Sequence, residues 1–219
     1  MAGKTRSRAE EDPMERTYND ILLTAIGNNF PHYTKLIVVI RNSEGNVIFL
    51  DDYVNSSSQH AEVVMLSNFE SDGELSTDLF SITLTINYSP CSDCAAKLIS
   101  FYEENKYRID NFTIRCSTLY RIKENRSGLK DLINAGIDLE AMNEDYWEEL
   151  ADLTNVESQK YHQYEEKIDE RDLNTSSHLR KLQQEIDEDK STDEQSTHEE
   201  FTDEDGLAAG FESLNLTDD

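Results

Sequence analysis

Two short stretches decide the fold of this chain, His60-Ala61-Glu62 and Pro90-Cys91-Ser92-Asp93-Cys94. Imidazole nitrogens and thiolate sulfurs are ligands that Zn²⁺ prefers, and catalytic zinc sites usually take three protein ligands and keep a fourth position for water. His60, Cys91 and Cys94 form such a set, and Glu62 adds a carboxylate that is not needed as a ligand. We therefore expect the fold to bring both stretches to one zinc ion.

A closed structural zinc site is the alternative, and it would need a fourth His or Cys nearby. The other candidates are poorly placed, because Cys116 lies in an apolar run typical of a strand and His32 lies far upstream. An open site is therefore favoured. In an open site the metal lowers the pKa of bound water to roughly 7, and Glu62 would carry protons as general acid and base.

Both stretches stand at predicted helix starts. Apolar residues recur at helical spacing after Pro90, so Cys91 and Cys94 would share one face of the first turn. The helix dipole and the nearby zinc ion would favour thiolates there. His60 likewise begins an apolar run. Residues 60 and 62 do not share a face of a regular helix, so the sequence does not show how Glu62 turns toward the metal.

Hydrophobic patterns predict alternating helices and strands between residues 18 and 153. A helix over 18–30 precedes a hairpin of strands over 36–40 and 47–50, and the two helices at the metal flank a strand over 80–86. The remaining predicted elements are a strand over 112–118, a helix over 128–134, a strand over 137–142 and a helix over 145–153. This alternation is typical of an α/β fold, with a largely parallel sheet and helices on its faces.

The charge of the chain limits how it can bind nucleic acid. The formal net charge is −26, with 14 basic and 26 acidic side chains in residues 1–156 and 6 and 20 in residues 157–219. Nucleic-acid binding gains affinity from Lys and Arg that neutralise phosphates, so a broad basic surface is excluded. The acidic, Ser/Thr-rich sequence from residue 157 predicts a mostly disordered tail, with one helix through Leu179, Leu182 and Ile186 as the alternative there.

Cysteine usage and hydropathy predict an intracellular protein. Three cysteines, two of them assigned to the metal, imply no disulfide framework and hence a reducing compartment. No stretch approaches the roughly 20 apolar residues of a membrane span, and residues 1–13 lack the apolar core of a secretory signal. We expect a cytoplasmic protein that contacts no membrane.

Residues 18–156 resemble the AID/APOBEC polynucleotide cytidine deaminases, most of all the activation-induced deaminases of that family. The two metal stretches fit the family's zinc motifs, with Tyr88 where the family usually has Trp. Further landmarks are matched by Leu119-Tyr120, Gly128-Leu129, Ala135-Gly136-Ile137 and the run from Met142 to Trp147. The resemblance implies a cytidine-deaminase-like three-layer fold, in which a five-stranded mixed sheet carries helices on both faces. This domain, residues 18–156, would lie between a disordered N-terminus, 1–17, and the acidic tail, 157–219.

The resemblance also implies roles around the metal. Asn55 falls where the family holds the target nucleotide, and Tyr88, Ser89 and Tyr120 fall where the family surrounds a flipped cytosine. The basic residues that follow are predicted to contact the flanking nucleotide and phosphates, an ordinary solvated loop being the alternative; they are Arg121, Lys123 and Arg126. A weaker candidate wall comprises Asn28, Asn29, His32, Tyr33 and Lys35.

The implied function is zinc-dependent conversion of cytosine to uracil in single-stranded DNA, with the base rotated out of the stack. Three alternatives stay open: an RNA substrate, deamination of free cytidine or a nucleotide, which the negative charge favours, and a non-catalytic zinc fold, against which Glu62 argues. Near the C-terminus, apolar residues are spaced like a leucine-rich nuclear export signal and predict an export receptor and nuclear shuttling; they are Leu207, Phe211, Leu214 and Leu216.

Overall fold

The computed structural model describes residues 12–27, 32–72, 79–157 and 159–199 of the chain. Its strands are β1 (Lys35–Asn42), β2 (Val47–Val54), β3 (Phe80–Ile86), β4 (Ile109–Cys116) and β5 (Asp138–Ala141). Its helices are α1 (Pro13–Ile26), α2 (Ala61–Asp72), α3 (Ser92–Asn105), α4 (Ile122–Ala135), α5 (Glu144–Leu153), α6 (Gln159–His162) and α7 (Glu165–Glu199). None of the helices in these ranges is both long enough and apolar enough to cross a membrane.

The strands form one mixed sheet in the order β2-β1-β3-β4-β5, which confirms the five-stranded mixed sheet. Strand β1 is antiparallel to β2 and to β3, whereas β4 is parallel to β3 and to β5. The expectation of a largely parallel sheet is therefore wrong for half of the pairings. The reason is that the short turn at Gly45, with φ of 83°, folds β2 back onto β1, while α2 returns the chain to the other side of β1. Parallel pairing needs a long crossover, and α3 and α4 supply one on either side of β4.

Helices cover both faces of the sheet and make two hydrophobic cores. One core packs α2, α3 and α4 against Leu36, Val38 and Ile40 of β1, and the other packs α1 and α5 against Ile37 and Val39. Successive side chains of a strand point to opposite faces, so the central β1 is buried on both. The three-layer α/β architecture predicted from the sequence is confirmed.

Residues 159–199 differ from the predicted disordered tail, since they are largely helical. Helix α7 buries Leu179 and Leu182 in the first core and Ile168 in the second. The buried positions 168, 172, 175, 179 and 182 follow a 4-3-4-3 spacing that makes one helical stripe. Two of these five are polar, Asp172 and Thr175, which hid the stripe from hydropathy. The predicted boundary at residue 156 therefore moves to about residue 183, where the first of two compact units ends, the second being Gln184–Asp219.

Helix α1 also begins earlier than predicted. Asp12 accepts a hydrogen bond from the backbone N–H of Met14 at 2.8 Å, and Pro13 occupies the first turn, so the helix starts at residue 13 and ends at Gly27. A side-chain N-cap followed by Pro is a strong helix start. The predicted disordered N-terminus, residues 1–17, is therefore wrong for residues 13–17, which are helical. Its remaining part in residues 1–11, and the predicted export signal within residues 200–219, lie outside the described residues.

A buried polar pair joins α7 to the rest of the first unit. Trp147 Nε1 of α5 donates a hydrogen bond to Asp172 Oδ2 at 2.9 Å, and Asp172 is 6% exposed. Burial raises the pKa of Asp172 to about 7, and Asp169 adds to this effect while the Trp147 hydrogen bond and Arg171 oppose it. The carboxylate therefore costs free energy when it ionises in the folded chain.

We predict that Asp172→Asn stabilises the protein at pH 8. The pKa of Asp172 is higher in the folded than in the unfolded chain, so the free energy of unfolding falls as pH rises from about 4 to about 7. Asn does not ionise, so the variant avoids this fall and should gain on the order of 1 kcal/mol or more at pH 8. Asn keeps an acceptor for Trp147. Urea unfolding followed by Trp147 fluorescence, at pH 5 and pH 8, measures the effect. Glu170→Gln, an exposed neighbour, is the control; equal stability of Asp172→Asn and wild type at pH 8 contradicts the prediction.

Candidate active site

The three predicted ligands converge in the structure. The ligand atoms of His60, Cys91 and Cys94 all lie within 4.8 Å of one another, and His60 Nδ1 lies 3.5 Å from Cys91 Sγ and 3.4 Å from Cys94 Sγ. Tetrahedral zinc with ordinary bond lengths separates nitrogen and sulfur ligands by about 3.6 Å. These side chains therefore fit Zn²⁺, and within the described ranges they form the one group of three His, Cys, Asp or Glu side chains close enough to hold a metal.

Two helix N-termini position the ligands, as the sequence predicted. The carbonyl of His60 accepts the backbone N–H of Val64 at 3.1 Å, so His60 directly precedes the first turn of α2. Cys91 occupies the equivalent N-cap position of α3 in an extended conformation. Because His60 lies outside the helix, helical periodicity does not force Glu62 to face away from it.

Glu62 is buried beside the three ligands, at 1% exposure. Its Oε2 atom has no hydrogen-bond partner in the described part of the chain, and the residue lines the same cavity as His60 and Cys91. Burial raises the pKa of Glu62, although its own backbone N–H, His60 and Cys94 oppose the shift. A carboxylate that binds a proton more readily than usual suits proton transfer.

The ionisation of the Cys94 thiol depends on whether a metal is bound. Burial, followed by the nearby Glu62 and Cys91, raises the pKa of the Cys94 thiol. We expected the helix dipole and the nearby zinc ion together to favour the thiolate, and the second of these contributions needs the bound metal. A divalent cation would favour the thiolate, because a coordinating thiol is deprotonated.

A cavity of about 450 Å³ opens beside the ligands, beyond the carboxyl ends of the parallel strands β3 and β4, where ligands commonly bind in α/β folds. The predicted residues that line it are Asn55, His60, Glu62, Tyr88, Ser89, Cys91, Tyr120 and Arg121. Lys123 and Arg126 do not line it, since α4 begins at Ile122 and carries both on its first turns. We expected this helix to begin at Gly128, which instead lies inside it, where an added Cβ would stand 2.7 Å from Ser92 Cα of α3.

Aromatic rings form one side of the cavity. The rings of Tyr88 and Tyr120 lie 5.9 Å apart, and the Arg121 guanidinium lies 5.3 Å from the Tyr120 ring centre. Arg121 has φ of 41°, a left-handed conformation that is uncommon for a residue with a side chain. The loop after β4 thus presents both an aromatic ring and a cation at the cavity.

Two of the predicted substrate residues also hold the local backbone. Ser89 Oγ accepts the backbone N–H of Tyr120 at 2.9 Å, which joins the loops after β3 and β4. Asn55 Oδ1 accepts the backbone N–H of Ala61 at 2.9 Å, at the start of α2. Their predicted contacts with a nucleotide stay predictions.

The weaker candidate wall is partly present. His32 and Tyr33 line the cavity, whereas Lys35 is buried and paired with Asp20 at 3.0 Å. Asn28 and Asn29 lie outside the described residues.

Sequence reasoning missed two residues that support the site. Asn125 accepts the backbone N–H of Ser92 at 3.1 Å and donates to the carbonyl of Tyr120 at 3.0 Å, so it connects the metal helix to the tyrosine loop. Arg171 of α7 donates to Thr118 Oγ1, a cavity residue, at 3.3 Å. No local sequence pattern predicts the role of Arg171, because this residue lies 53 residues after Thr118 in the chain.

Comparison with known proteins gives a family match over most of the chain. Residues 17–195 match the family model described as the invertebrate AID/APOBEC deaminase. The "DNA dC->dU-editing enzyme APOBEC-3H" of Felis catus is 28% identical over 130 residues, 56% of this chain and 67% of the relative. The enzyme of the same name from Homo sapiens is 26% identical over 129 residues, 56% and 64% of the two chains. The "C->U-editing enzyme APOBEC-1" of Mus musculus is 30% identical over 92 residues, 41% and 39%.

We predict that the purified protein contains about one zinc ion per chain and that Cys91→Ser loses most of it, because the thiolate ligand is removed. Elemental analysis measures the metal. Cys116→Ala is the matched control, since Cys116 is a buried free cysteine outside the ligand cluster. Equal zinc content in Cys91→Ser and Cys116→Ala would show that the cluster does not hold the metal.

Proposed function

Because this chain belongs to the invertebrate AID/APOBEC deaminase family, we propose that it deaminates cytosine to uracil in single-stranded polynucleotide, with DNA as the main substrate. The observation that carries the proposal is one arrangement of side chains. A buried carboxylate, that of Glu62, shares a cavity with His60 and Cys91, while Cys94 completes the ligand set. Three ligands and one acid outside the ligand set are what hydrolytic deamination requires.

His60, Cys91 and Cys94 would hold Zn²⁺, which in such sites supplies a water activated at neutral pH. Glu62 would take the two protons of a water molecule in turn and pass one to the ring nitrogen N3 and the other to the leaving amino group of cytosine. Oxygen from water replaces the amino group at C4, and ammonia leaves. The buried Oε2 of Glu62, without a protein partner within the described residues, suits this transfer.

The cavity supports a flipped base as the substrate. Tyr88 and Tyr120 offer ring faces for the cytosine, and Asn55 and Ser89 lie at the same opening. Arg121 is exposed beside Tyr120, where it can meet the phosphate of the flanking nucleotide. Stacking together with a local cation is the usual way to hold single strands.

A polynucleotide is favoured over free cytidine because the aromatic side of the cavity reaches the surface, with Tyr120 36% exposed. The names of the relatives, editing enzymes that convert dC to dU or C to U, support the same choice. RNA is the alternative polynucleotide. A net charge of −26 requires that any strand be held at the cavity rather than across a broad surface.

Finer assignments rest on the sequence resemblance. We propose a place near the activation-induced deaminases and a role in DNA editing or innate immunity. We also propose passage between cytoplasm and nucleus through an export receptor that binds Leu207, Phe211, Leu214 and Leu216. These four residues lie outside the described ranges.

We predict that Glu62→Gln lowers the deamination rate at least ~100-fold while zinc content stays unchanged, because a general acid–base contributes about 10²- to 10⁴-fold. A uracil-release assay on labelled single-stranded DNA, run beside RNA and free cytidine, measures the rate and the substrate. The exposed Glu104 provides a control, Glu104→Gln, which should keep full activity. Persistent activity in Glu62→Gln would refute the assigned role.

We further predict that Arg121→Ala raises the KM for a single-stranded oligonucleotide several-fold, since it removes a phosphate contact at the cavity. Lys123→Ala is the matched control, because Lys123 is exposed on α4 but does not line the cavity. For both variants, the initial deamination rate is measured over a range of oligonucleotide concentrations and at several salt concentrations. Equal changes in both would mean that only general charge attraction is involved.

A further inference from the structure

A second cavity, which shares no lining residue with the first, runs between the edge strand β5 and helix α7. Its volume is about 910 Å³, and it is lined by all four residues of β5 and by a helical face of α7 from Asp169 to Gln183. Among the described strands, β5 lies at the edge of the sheet. One side of β5 pairs with β4, and no described strand pairs with its other side. At 1.5 Å per helical residue the α7 face is about 21 Å long, which matches about six residues of extended peptide. We call this cavity the β5–α7 groove.

The rim of the β5–α7 groove is strongly negative. Five carboxylates line it against one guanidinium, that of Arg180; the acids are Asp138, Glu140, Glu144, Asp169 and Asp172. Glu140 pairs with Arg115 at 3.3 Å, and Asp169 accepts the hydroxyl of Tyr161 at 3.2 Å. Burial raises the pKa of Asp172 to about 7, so this acid is only partly ionised at neutral pH. The negative charge available to a ligand comes mainly from the exposed Asp138, Glu144 and Asp169.

Asp172 gives an independent sign that the groove receives a polar ligand. The side chain is 6% exposed and lines the groove, yet only its Oδ2 atom is bonded, to Trp147. Its Oδ1 atom has no partner within the described residues. A buried carboxylate oxygen without a donor is costly. The Oδ1 atom is itself shielded from solvent, so a positive charge held in the groove would lessen this cost through its electric field rather than by a direct contact.

Much of the remaining lining of the groove is apolar. The apolar lining consists of Ile133, Ile137, Leu139, Ala141, Met142, Leu173 and Leu179. Leu173 is 65% exposed, an unusual position for a large apolar side chain beside five acids. A lining that combines apolar and acidic side chains is complementary to a chain that alternates basic and apolar residues.

We propose that the β5–α7 groove binds a basic peptide segment of a partner protein, in which Lys or Arg alternates with apolar residues. A metal ion does not fit, because the groove acids do not form a close ligand cluster among the described residues. A second copy of this chain does not fit either, because its own net charge of −26 would repel the acidic rim. A basic partner is attracted by the same charge.

The test uses the full-length protein and a labelled peptide, Lys-Leu-Lys-Leu-Lys-Leu-Lys. Fluorescence anisotropy should show saturable binding that weakens with salt, and Trp147 fluorescence should change in the same titration. Two groove variants, Leu173→Ser and the double change Asp138→Asn with Glu144→Gln, should each weaken binding at least ~10-fold. The altered side chains are exposed, so the fold and the deamination rate should not change.

Matched controls separate the groove from general charge attraction. Leu79→Ser alters an exposed leucine outside the groove, and Asp110→Asn with Glu157→Gln removes two exposed acids elsewhere; both should bind within ~2-fold of wild type. Equal weakening in groove and control variants overturns the proposal, as does equal binding of a peptide with Ser in place of Leu. A concentration-dependent dimer in sedimentation that Leu173→Ser abolishes would overturn it in favour of a second copy. Because binding is measured apart from deamination, failure here leaves the proposed function untouched.

Discussion

The convergence of two helix N-termini on His60, Cys91 and Cys94 constrains the rest of this structure. Thiols buried as deeply as Cys94 resist ionisation, and a nearby carboxylate such as Glu62 makes a negative charge there still less favourable. A bound divalent cation would reverse this preference, because a coordinating thiol is deprotonated. The helices α2 and α3, the cap from Asn55 and the close approach of α4 at Gly128 all hold these few atoms at distances that suit zinc. The surrounding fold thus holds together a His, Cys, Cys cluster whose spacing suits zinc and whose thiols would ionise on binding a cation.

The loops after β3 and β4 depend on the same arrangement. Ser89 joins the two loops, and Asn125 joins the second loop to the helix that carries the cysteines. The position of Tyr120 and Arg121 at the cavity is therefore coupled to the position of the ligands. Arg171 adds a contact from α7 to Thr118 of the same loop, so the C-terminal helix supports the substrate side of the site.

Charge differs between the cavity beside the ligands and the groove between β5 and α7. Arg121 stands at the cavity opening, while acids collect along the groove between β5 and α7. A polyanionic substrate and a basic partner would accordingly approach different surfaces. Electrostatic steering of this kind acts over about a Debye length, roughly 8 Å at physiological salt, so neighbouring surfaces can carry opposite preferences.

Sequence by itself predicted the cluster of His60, Cys91 and Cys94, the neighbouring Glu62 and the α/β class, because metal chemistry restricts residue type and short-range periodicity reports local structure. Most element positions followed for the same reason. Tertiary structure alone decided that β1 pairs antiparallel on both sides, that α4 begins at Ile122 and that α7 packs on the domain. The burial of Asp172 and Thr175 in a helical stripe depends on contacts with Trp147 and the two cores, and contacts between residues distant in the chain leave no local pattern in hydropathy. The reach of Arg171 to Thr118 and the groove beside β5 come from the same packing, which no window of sequence contains.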